Sequence, residues 1–110
     1  MPLSPWAALA DPHRRAMLAF MLERPRAVNE LVAHTGLSQP GTSKHLRVLR
    51  EAGLVEVQPD AQRRRYALRA EPLAELDAWL APYRRFWNRR FDALEGELDR
   101  MPDSAPEESP

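Results

Sequence analysis

Polar and basic side chains recur along one face of a segment, residues 39–52, that has the pattern of an amphipathic helix. This face carries residues spaced i, i+3, i+4 and i+7, namely Pro40, Ser43, Lys44 and Arg47. The opposite face carries Thr42, Leu46 and Leu49. Hydroxyl, amide and cationic groups near the N-terminus of a helix can bind base edges and phosphates in the major groove of DNA. The segment therefore predicts a DNA-recognition helix, with an ordinary solvent-exposed helix face as the alternative.

The side chains of this helix divide into two groups by the DNA atoms that they can reach. We expect base contacts from Gln39, Pro40, Thr42, Ser43 and His45. We expect phosphate contacts from Ser38, Lys44, Arg47 and Arg50. Gly41 lets the helix approach DNA closely because it has no Cβ atom.

A second basic feature is the run of three arginines, Arg63, Arg64 and Arg65, in the second strand of a predicted β-hairpin. Alternation along a strand places Arg63 and Arg65 on one face and Arg64 on the other. Three adjacent cations cannot all be buried, so we expect them to contact DNA phosphates or enter the minor groove. Protection of an edge strand by charge is the alternative. A hairpin that follows a recognition helix favours the first interpretation, that of a wing.

Local sequence signals predict three other helices before the recognition helix along the chain. Apolar residues at helical spacing predict a first helix near the N-terminus, and Asp11 can cap a second helix that runs from about 12 to 23. A third helix, residues 28–35, ends at Gly36, and Ser38 then caps the recognition helix. Two helices joined by a turn of about three residues that contains glycine are typical of a helix-turn-helix.

The apolar period changes from that of a helix to that of a strand after Gly53. Residues 54–57 and 64–68 read as two strands, with turn residues at 59–61 between them. A long helical pattern follows, from about 72 to 101. The predicted fold class is mostly α with a small β-hairpin wing, a winged helix-turn-helix with the order α-α-α-α-β-β-α.

Apolar side chains step by three or four residues along the last predicted helix, which Pro82 either kinks or divides. They predict a dimer interface, with Leu80, Tyr83, Trp87, Phe91, Leu94 and Leu98 in it. A pocket for a small apolar effector is one alternative. A surface that docks another protein, in a winged-helix interaction module, is the other.

Composition limits the class of protein. The chain has 110 residues, no cysteine, and 16 basic against 16 acidic residues, which fits one domain over residues 1–101. Residues 102–110 are rich in proline and acids and predict a disordered tail. Residues 1–70 carry eleven basic and six acidic side chains, whereas residues 71–110 carry five and ten. The basic half favours a polyanion as partner. Since no signal peptide or membrane span is evident, we expect a cytoplasmic protein.

Several segments together resemble the winged helix-turn-helix repressors of the ArsR family. The resemblance is carried by residues 10–15, 28–31, 36–40, 43–54 and 63–66, of which Ser-Gln-Pro at 38–40 and Ser-Lys-His-Leu at 43–46 are the most specific. It implies a homodimer that binds an inverted-repeat operator in double-stranded DNA and represses transcription. By the resemblance the dimer is paired through the first and last helices, so that Leu3, Trp6 and Leu9 join the interface. By the same analogy Gln39, Ser43 and His45 face the bases.

The chain departs from the metal-sensing members that it otherwise resembles. Residues 27–30 contain no cysteine, and the last helix offers carboxylates but no histidine, which makes a poor transition-metal site. The sequence looks like the metal-free branch, so we expect no metal, no cofactor and an unknown effector. The three histidines share no facing position by this interpretation. Ser43 and His45 lie two residues apart on one helix, so we expect no enzymatic activity.

Overall fold

The computed structural model describes residues 3–101. Its helices and strands are α1 (Pro5–Ala8), α2 (Pro12–Phe20), β1 (Arg26–Ala27), α3 (Val28–Thr35), α4 (Gln39–Glu51), β2 (Val55–Asp60), β3 (Arg63–Leu68) and α5 (Ala70–Asp99). This order confirms the mostly helical fold with a small antiparallel wing. The predicted acidic tail, residues 102–110, lies outside the described residues.

The helix-turn-helix begins and ends where its capping residues predict. The Ser38 hydroxyl accepts a hydrogen bond from the Gly41 N–H (3.1 Å) and starts α4, while Gly36, with φ of 75°, ends α3 in the left-handed region. At α2, the Asp11 carboxylate accepts from the His13 N–H (2.7 Å). The contacts of Gly36 and Ser38 thus fix the end of α3 and the start of α4 on either side of a short turn.

The first two helices are shorter than the apolar spacing predicts. At α1, Pro12 has no N–H to donate to the Ala8 carbonyl, so the helix cannot continue through it. Arg14 Nε donates to the Ala8 carbonyl instead, and Arg15 Nη1 donates to that of Leu9, both at 2.7 Å. At the end of α2, Arg26 Nε donates to the Phe20 carbonyl at 2.8 Å. The expected extension of α2 to residue 23 is therefore wrong.

The sheet has three strands in the order β1-β3-β2, one more than the sequence predicts. Arg26 and Ala27 of β1 pair antiparallel with Tyr66 and Arg65 of β3. A strand of two residues shows no alternation, so periodicity could not reveal it. The hairpin is also longer than predicted, because Pro59 and Asp60 belong to β2 and the turn is Ala61–Gln62. Proline is tolerated there because β2 is an edge strand.

The chain separates after Leu76 into two compact units. The core of the first unit lies between α2, α3, α4 and the start of the hairpin. Its largest fully buried side chains are Met17, Leu31, Leu46, Leu49, Leu54, Val55 and Thr42. This core holds the two helices of the helix-turn-helix, so that the far face of α4 points to solvent.

The last helix, α5, runs without a break through Pro82, and this settles the alternative that the sequence left open. Proline removes only the hydrogen bond to the carbonyl four residues earlier, and the rest of the ladder continues. Among residues 3–101, no helix is both long enough and apolar enough to cross a lipid bilayer.

Candidate nucleic-acid interface

The N-terminal half of α4 presents a polar face that its own buried face holds in place. Thr42, Leu46 and Leu49 are at most 1% exposed and anchor the helix in the core. The outer side chains Gln39, Pro40, Ser43, Lys44 and Arg47 are exposed. Four of them line a shallow groove, which comprises Pro40, Ser43, Lys44 and Arg47. The arrangement gives a convex helix edge with donors and acceptors along it, as insertion into a major groove requires.

The cations of α4 are available to a polyanion. Within residues 3–101, Lys44, Arg47 and Arg50 make neither a hydrogen bond nor an ion pair. No internal ion pair of the described residues therefore has to break before these side chains bind a phosphate. Ser38 is exposed, and its hydroxyl accepts from the Gly41 N–H, which leaves its own proton for a phosphate oxygen.

Within the described chain, two of the three arginines of the wing are also free of ion pairs, and the third is not. Arg63 and Arg64 are exposed, and the described part of the chain contains no ion pair to either. Arg65 instead binds the carboxylate of Asp60 (2.8 Å) and lies 3.8 Å from that of Glu30. These two carboxylates compete with phosphate for its guanidinium. The expected phosphate contact of Arg65 stays a prediction, and it requires these ion pairs to open.

The recognition helix and the wing share one basic groove. Arg50, near the end of α4, and Arg64, in β3, both line an open groove of about 660 Å³ beside β2. Arg69 lines it too, but its guanidinium lies 3.8 Å from the Glu56 carboxylate and 3.7 Å from that of Glu71. The net charge facing the groove is therefore supplied by Arg50 and Arg64, which extends the basic surface from helix to wing.

Thr42 does not belong to the base-contacting set. Its side chain is fully buried, and its hydroxyl oxygen has no hydrogen-bond partner among the described residues. A side chain with no exposed surface cannot touch a base, so the expected contact is wrong. Helical spacing already grouped Thr42 with Leu46 and Leu49, and that signal should have excluded it.

His45 also points away from the exposed face of α4. Its ring stacks on that of His13 with 5.9 Å between centroids, and its Nδ1 lies 3.3 Å from Nη1 of Arg14. Burial lowers the pKa of His45, with the Arg14 charge acting in the same direction. The ring is thus held against α2 as an acceptor, and the expected base contact of His45 stays a prediction.

The structure brings together three groups that the sequence interpretation kept apart. Asp11, His13 and His45 each offer a ligand atom, and these atoms lie within 4.8 Å of one another. The expectation that no two histidines share a facing position is therefore wrong. Residues 13 and 45 lie on different helices, so only the packing of α2 on α4 could reveal their proximity.

The predicted dimer residues differ in exposure. Six of them are exposed by 43% or more, which are Leu3, Trp6, Tyr83, Phe91, Leu94 and Leu98. The other three, Leu9, Leu80 and Trp87, are partly buried. Large apolar side chains exposed in a row along one helix are typical of an interaction surface, and the dimer remains a prediction here.

Comparison with known proteins shows the family to which the chain belongs. The family model of bacterial regulatory proteins of the arsR family matches residues 11–57. A curated relative, the HTH-type transcriptional regulator Rv2034 of Mycobacterium tuberculosis, is 42% identical over 94 residues, which cover 86% of this chain and 85% of the relative. This chain belongs to the ArsR family.

Solved structures of ArsR-family proteins have the same fold. The crystal structure of an ArsR family transcriptional regulator matches with a TM-score of 0.66 and 32% identity, over 76% of this chain and 91% of that one. A homodimeric winged helix-turn-helix DNA-binding domain from Mycobacterium bovis matches with a TM-score of 0.60 and 29% identity, over 73% and 74%. This ArsR-family chain is accordingly a transcriptional regulator with a winged helix-turn-helix DNA-binding fold.

Proposed function

We propose that this regulator is a repressor that binds an inverted-repeat operator as a homodimer. The observation that carries the proposal is the groove that joins Arg50, at the end of the exposed face of α4, to Arg64 of the wing. It matches double-stranded DNA in shape and in charge. The proposed place of action is the cytoplasm, where a bacterial chromosome lies.

The proposed contacts divide by chemistry. Bases are contacted from the major groove by Gln39, Pro40 and Ser43, of which Gln39 can bind the N6 and N7 atoms of adenine together. Phosphates are bound by Ser38, Lys44, Arg47, Arg50, Arg63 and Arg64. Phosphate contacts set register and affinity, whereas base contacts set sequence preference.

A two-fold dimer explains both the exposed stripe of α5 and an inverted repeat. Two recognition helices related by a two-fold axis enter successive major grooves about 34 Å apart. The domain from Mycobacterium bovis is described as homodimeric, which supports the same assembly here. The alternative, a winged-helix module for protein interaction, is not favoured because the relatives are named as transcriptional regulators.

The surfaces that the described residues offer support repression as the mode of action. Residues 3–101 present a DNA-binding face and an apolar stripe that the dimer uses. A protein bound at an operator through these faces acts by occupying DNA that a polymerase needs. No metal ion or other effector is required for that step.

The test begins with DNA selected by the protein from a library of random duplexes. We expect an imperfect palindrome with half-sites about one helical turn apart. Fluorescence anisotropy should then show binding to this duplex that exceeds binding to a scrambled one by about a thousandfold or more. Selection without a shared motif, or equal affinity for both duplexes, would contradict the proposal.

Two variants separate the roles of the contacts. Gln39→Ala should reduce discrimination between the two duplexes by about 1–3 kcal/mol, whereas Arg47→Ala should weaken binding to both and lower the salt slope by about one. Arg85→Ala, on the exposed polar side of α5, is the matched control and should change neither quantity. Equal losses on both duplexes from Gln39→Ala would remove this residue from base recognition.

A further inference from the structure

Three metal-binding side chains converge where the N-terminus of α2 meets α4. Asp11 is the N-cap residue of α2, His13 lies in the first turn of that helix, and His45 lies in α4. One ligand atom from each lies within 4.8 Å of the other two. We call these residues the Asp11–His13–His45 cluster.

We propose that the Asp11–His13–His45 cluster binds a divalent transition-metal ion such as Zn²⁺, Co²⁺ or Ni²⁺. Two imidazole nitrogens and one carboxylate oxygen are a ligand set that these ions accept, with a fourth position open to water. The ligand atoms of a tetrahedral zinc site lie about 3.3 Å apart, as bonds of about 2.0–2.1 Å require. The side chains must therefore close by at most about 1.5 Å.

The most exposed member of the cluster can make this movement. The His13 side chain is 51% exposed, and its Nδ1 already lies 3.6 Å from Oδ1 of Asp11. Oδ1 also accepts hydrogen bonds from the N–H groups of His13 and Arg14. The second oxygen of this carboxylate makes no hydrogen bond within residues 3–101, so it can bind an ion without loss of the helix cap.

Arg14 lies against one member of the cluster. Its Nη1 lies 3.3 Å from Nδ1 of His45, so the guanidinium occupies one imidazole nitrogen and leaves the other for an ion. An ion at Nδ1 itself would have to displace the whole planar guanidinium, together with the 2.7 Å hydrogen bond from its Nε to the Ala8 carbonyl. Competition with a fixed positive charge lowers the affinity of the site but leaves its ligand set intact.

An ion in this cluster would affect the recognition helix, because one of its ligands lies in α4. His45 lies directly after Ser43 and Lys44, two residues of the exposed DNA-binding face. An ion that bridges His45 to Asp11 and His13 fixes α4 against α2. The cluster shares no residue with the carboxylates of α5 or with residues 27–30.

The test uses the full chain without DNA, so its result does not depend on the proposed repressor function. Co²⁺ is titrated while visible absorption is recorded, and Zn²⁺ is titrated by calorimetry. We expect one ion per chain, with absorption bands of four- or five-coordinate Co²⁺ that Zn²⁺ removes. No such bands, or a stoichiometry well below one, would overturn the proposal.

Three variants assign the ion to the cluster. His13→Gln and Asp11→Asn should each lower metal affinity by at least about tenfold, since losing a ligand costs more than losing a group that supports one. Asn is itself a good N-cap, so Asp11→Asn keeps the start of α2. His34→Gln changes a histidine outside the cluster and should bind as the wild type does.

Circular dichroism confirms that each variant is folded before metal is added. Equal affinity in the wild type and in both ligand variants would place the ion elsewhere and overturn the proposal. Loss of binding in His34→Gln as strong as in His13→Gln would do the same, because it would show that the histidines act without regard to position.

Discussion

The two compact units of this chain place their apolar side chains in opposite ways. In residues 3–76, the large apolar side chains of α2, α3 and α4 are mostly buried, and Met17, Leu31 and Leu49 have no exposed surface. In residues 77–101, most large apolar side chains are about half exposed or more, among them Phe86 (50%), Phe91 (61%) and Leu98 (55%). The first unit buries its own core, whereas the second leaves its apolar stripe at the surface.

The two units also differ in net charge. Residues 3–76 carry eleven basic and eight acidic side chains, whereas residues 77–101 carry five of each. In the second unit some of these groups contact each other, as in the 2.6 Å ion pair of Arg84 with Asp77. In the first, the cations of the α4 face and of the wing tip make no such contact within the described chain.

This difference indicates what each unit needs from outside. The first has an internal core and a basic surface that suits a polyanion. The second has a neutral surface with an apolar stripe, and its burial requires association. We therefore expect substitutions in the second unit to change assembly, and those in the first to change DNA binding or intrinsic stability.

The largest expected effect comes from carboxylates placed in the apolar stripe. Phe91→Asp combined with Leu98→Asp should convert the dimer to a monomer, because burying two unpaired charges costs more than the interface gains. DNA affinity should fall by at least about a hundredfold, since the second half-site no longer binds as part of the same complex. Sedimentation velocity measures the mass, and anisotropy measures the affinity.

The control places the same residue on the other side of α5. Arg89→Asp lies about 160° around the helix from Phe91 and should leave the dimer intact. A double variant that sediments as the wild type does would show that the stripe is not the interface, and the comparison between the two units would lose its main consequence.

The next effect tests the basic surface of the first unit. Arg63→Ala combined with Arg64→Ala should weaken binding to any duplex by about tenfold and lower the salt slope by about two, because two phosphate contacts are lost. The mass in solution should stay that of the dimer. Anisotropy titrations at several salt concentrations provide both quantities.

The neighbouring arginine is the matched control for the wing. Arg65 is paired with Asp60 and Glu30, so Arg65→Ala should change the salt slope much less than the double variant does. If Arg65→Ala lowered the slope as much, the carboxylates would not compete with phosphate as the structure indicates.

Sequence reasoning was sound where the determining contacts are local. The turn between α3 and α4 depends on Gly36 and on the Ser38 cap, and both act within four residues along the chain. The polar and apolar faces of α4 follow from the helical period alone. The winged helix-turn-helix could therefore be predicted from the sequence alone.

The rest depends on contacts between elements distant in sequence. β1 exists because Arg26 and Ala27 pair with β3, about 40 residues later. His45 faces α2 because of how the two helices pack, and Arg65 is neutralised partly by Glu30 of α3. Composition and period contain no information on such pairings. Thr42 is different, because its burial followed from a pattern already visible in the sequence.

A smaller effect tests whether the first unit holds itself together through internal ion pairs. The Arg24 guanidinium and the Ala27 N–H lower the pKa of Glu30 from its ordinary value of 4.5 to about 2. Glu30→Gln keeps an acceptor for the Ala27 N–H but loses the charge that faces Arg24. The free energy of unfolding at pH 7 should fall by about 1 kcal/mol.

The pH dependence of this difference has a definite sign. Because the folded pKa is the lower one, the stabilisation by Glu30 is complete above pH 4.5 and is lost as the pH falls toward 2. Urea unfolding at fixed protein concentration should therefore show wild type and Glu30→Gln converging in acid. Glu23→Gln, at a side chain that is 87% exposed, should change stability by less than about 0.5 kcal/mol. A constant difference from pH 7 to pH 3 would contradict the assignment.

The smallest expected effect lies in the turn of the wing, within the first unit and away from its core. Ala61 has φ of 55° and, among the described residues, is the only one besides glycine with positive φ. Ala61→Gly should raise the free energy of unfolding by about 0.5–1 kcal/mol, because glycine adopts this conformation without a Cβ clash. Gln62→Gly, one residue later, gains nothing and should lower stability through added freedom of the unfolded chain. Thermal unfolding of both variants at one protein concentration makes the comparison, and a Tm that rises for Gln62→Gly but not for Ala61→Gly would contradict it.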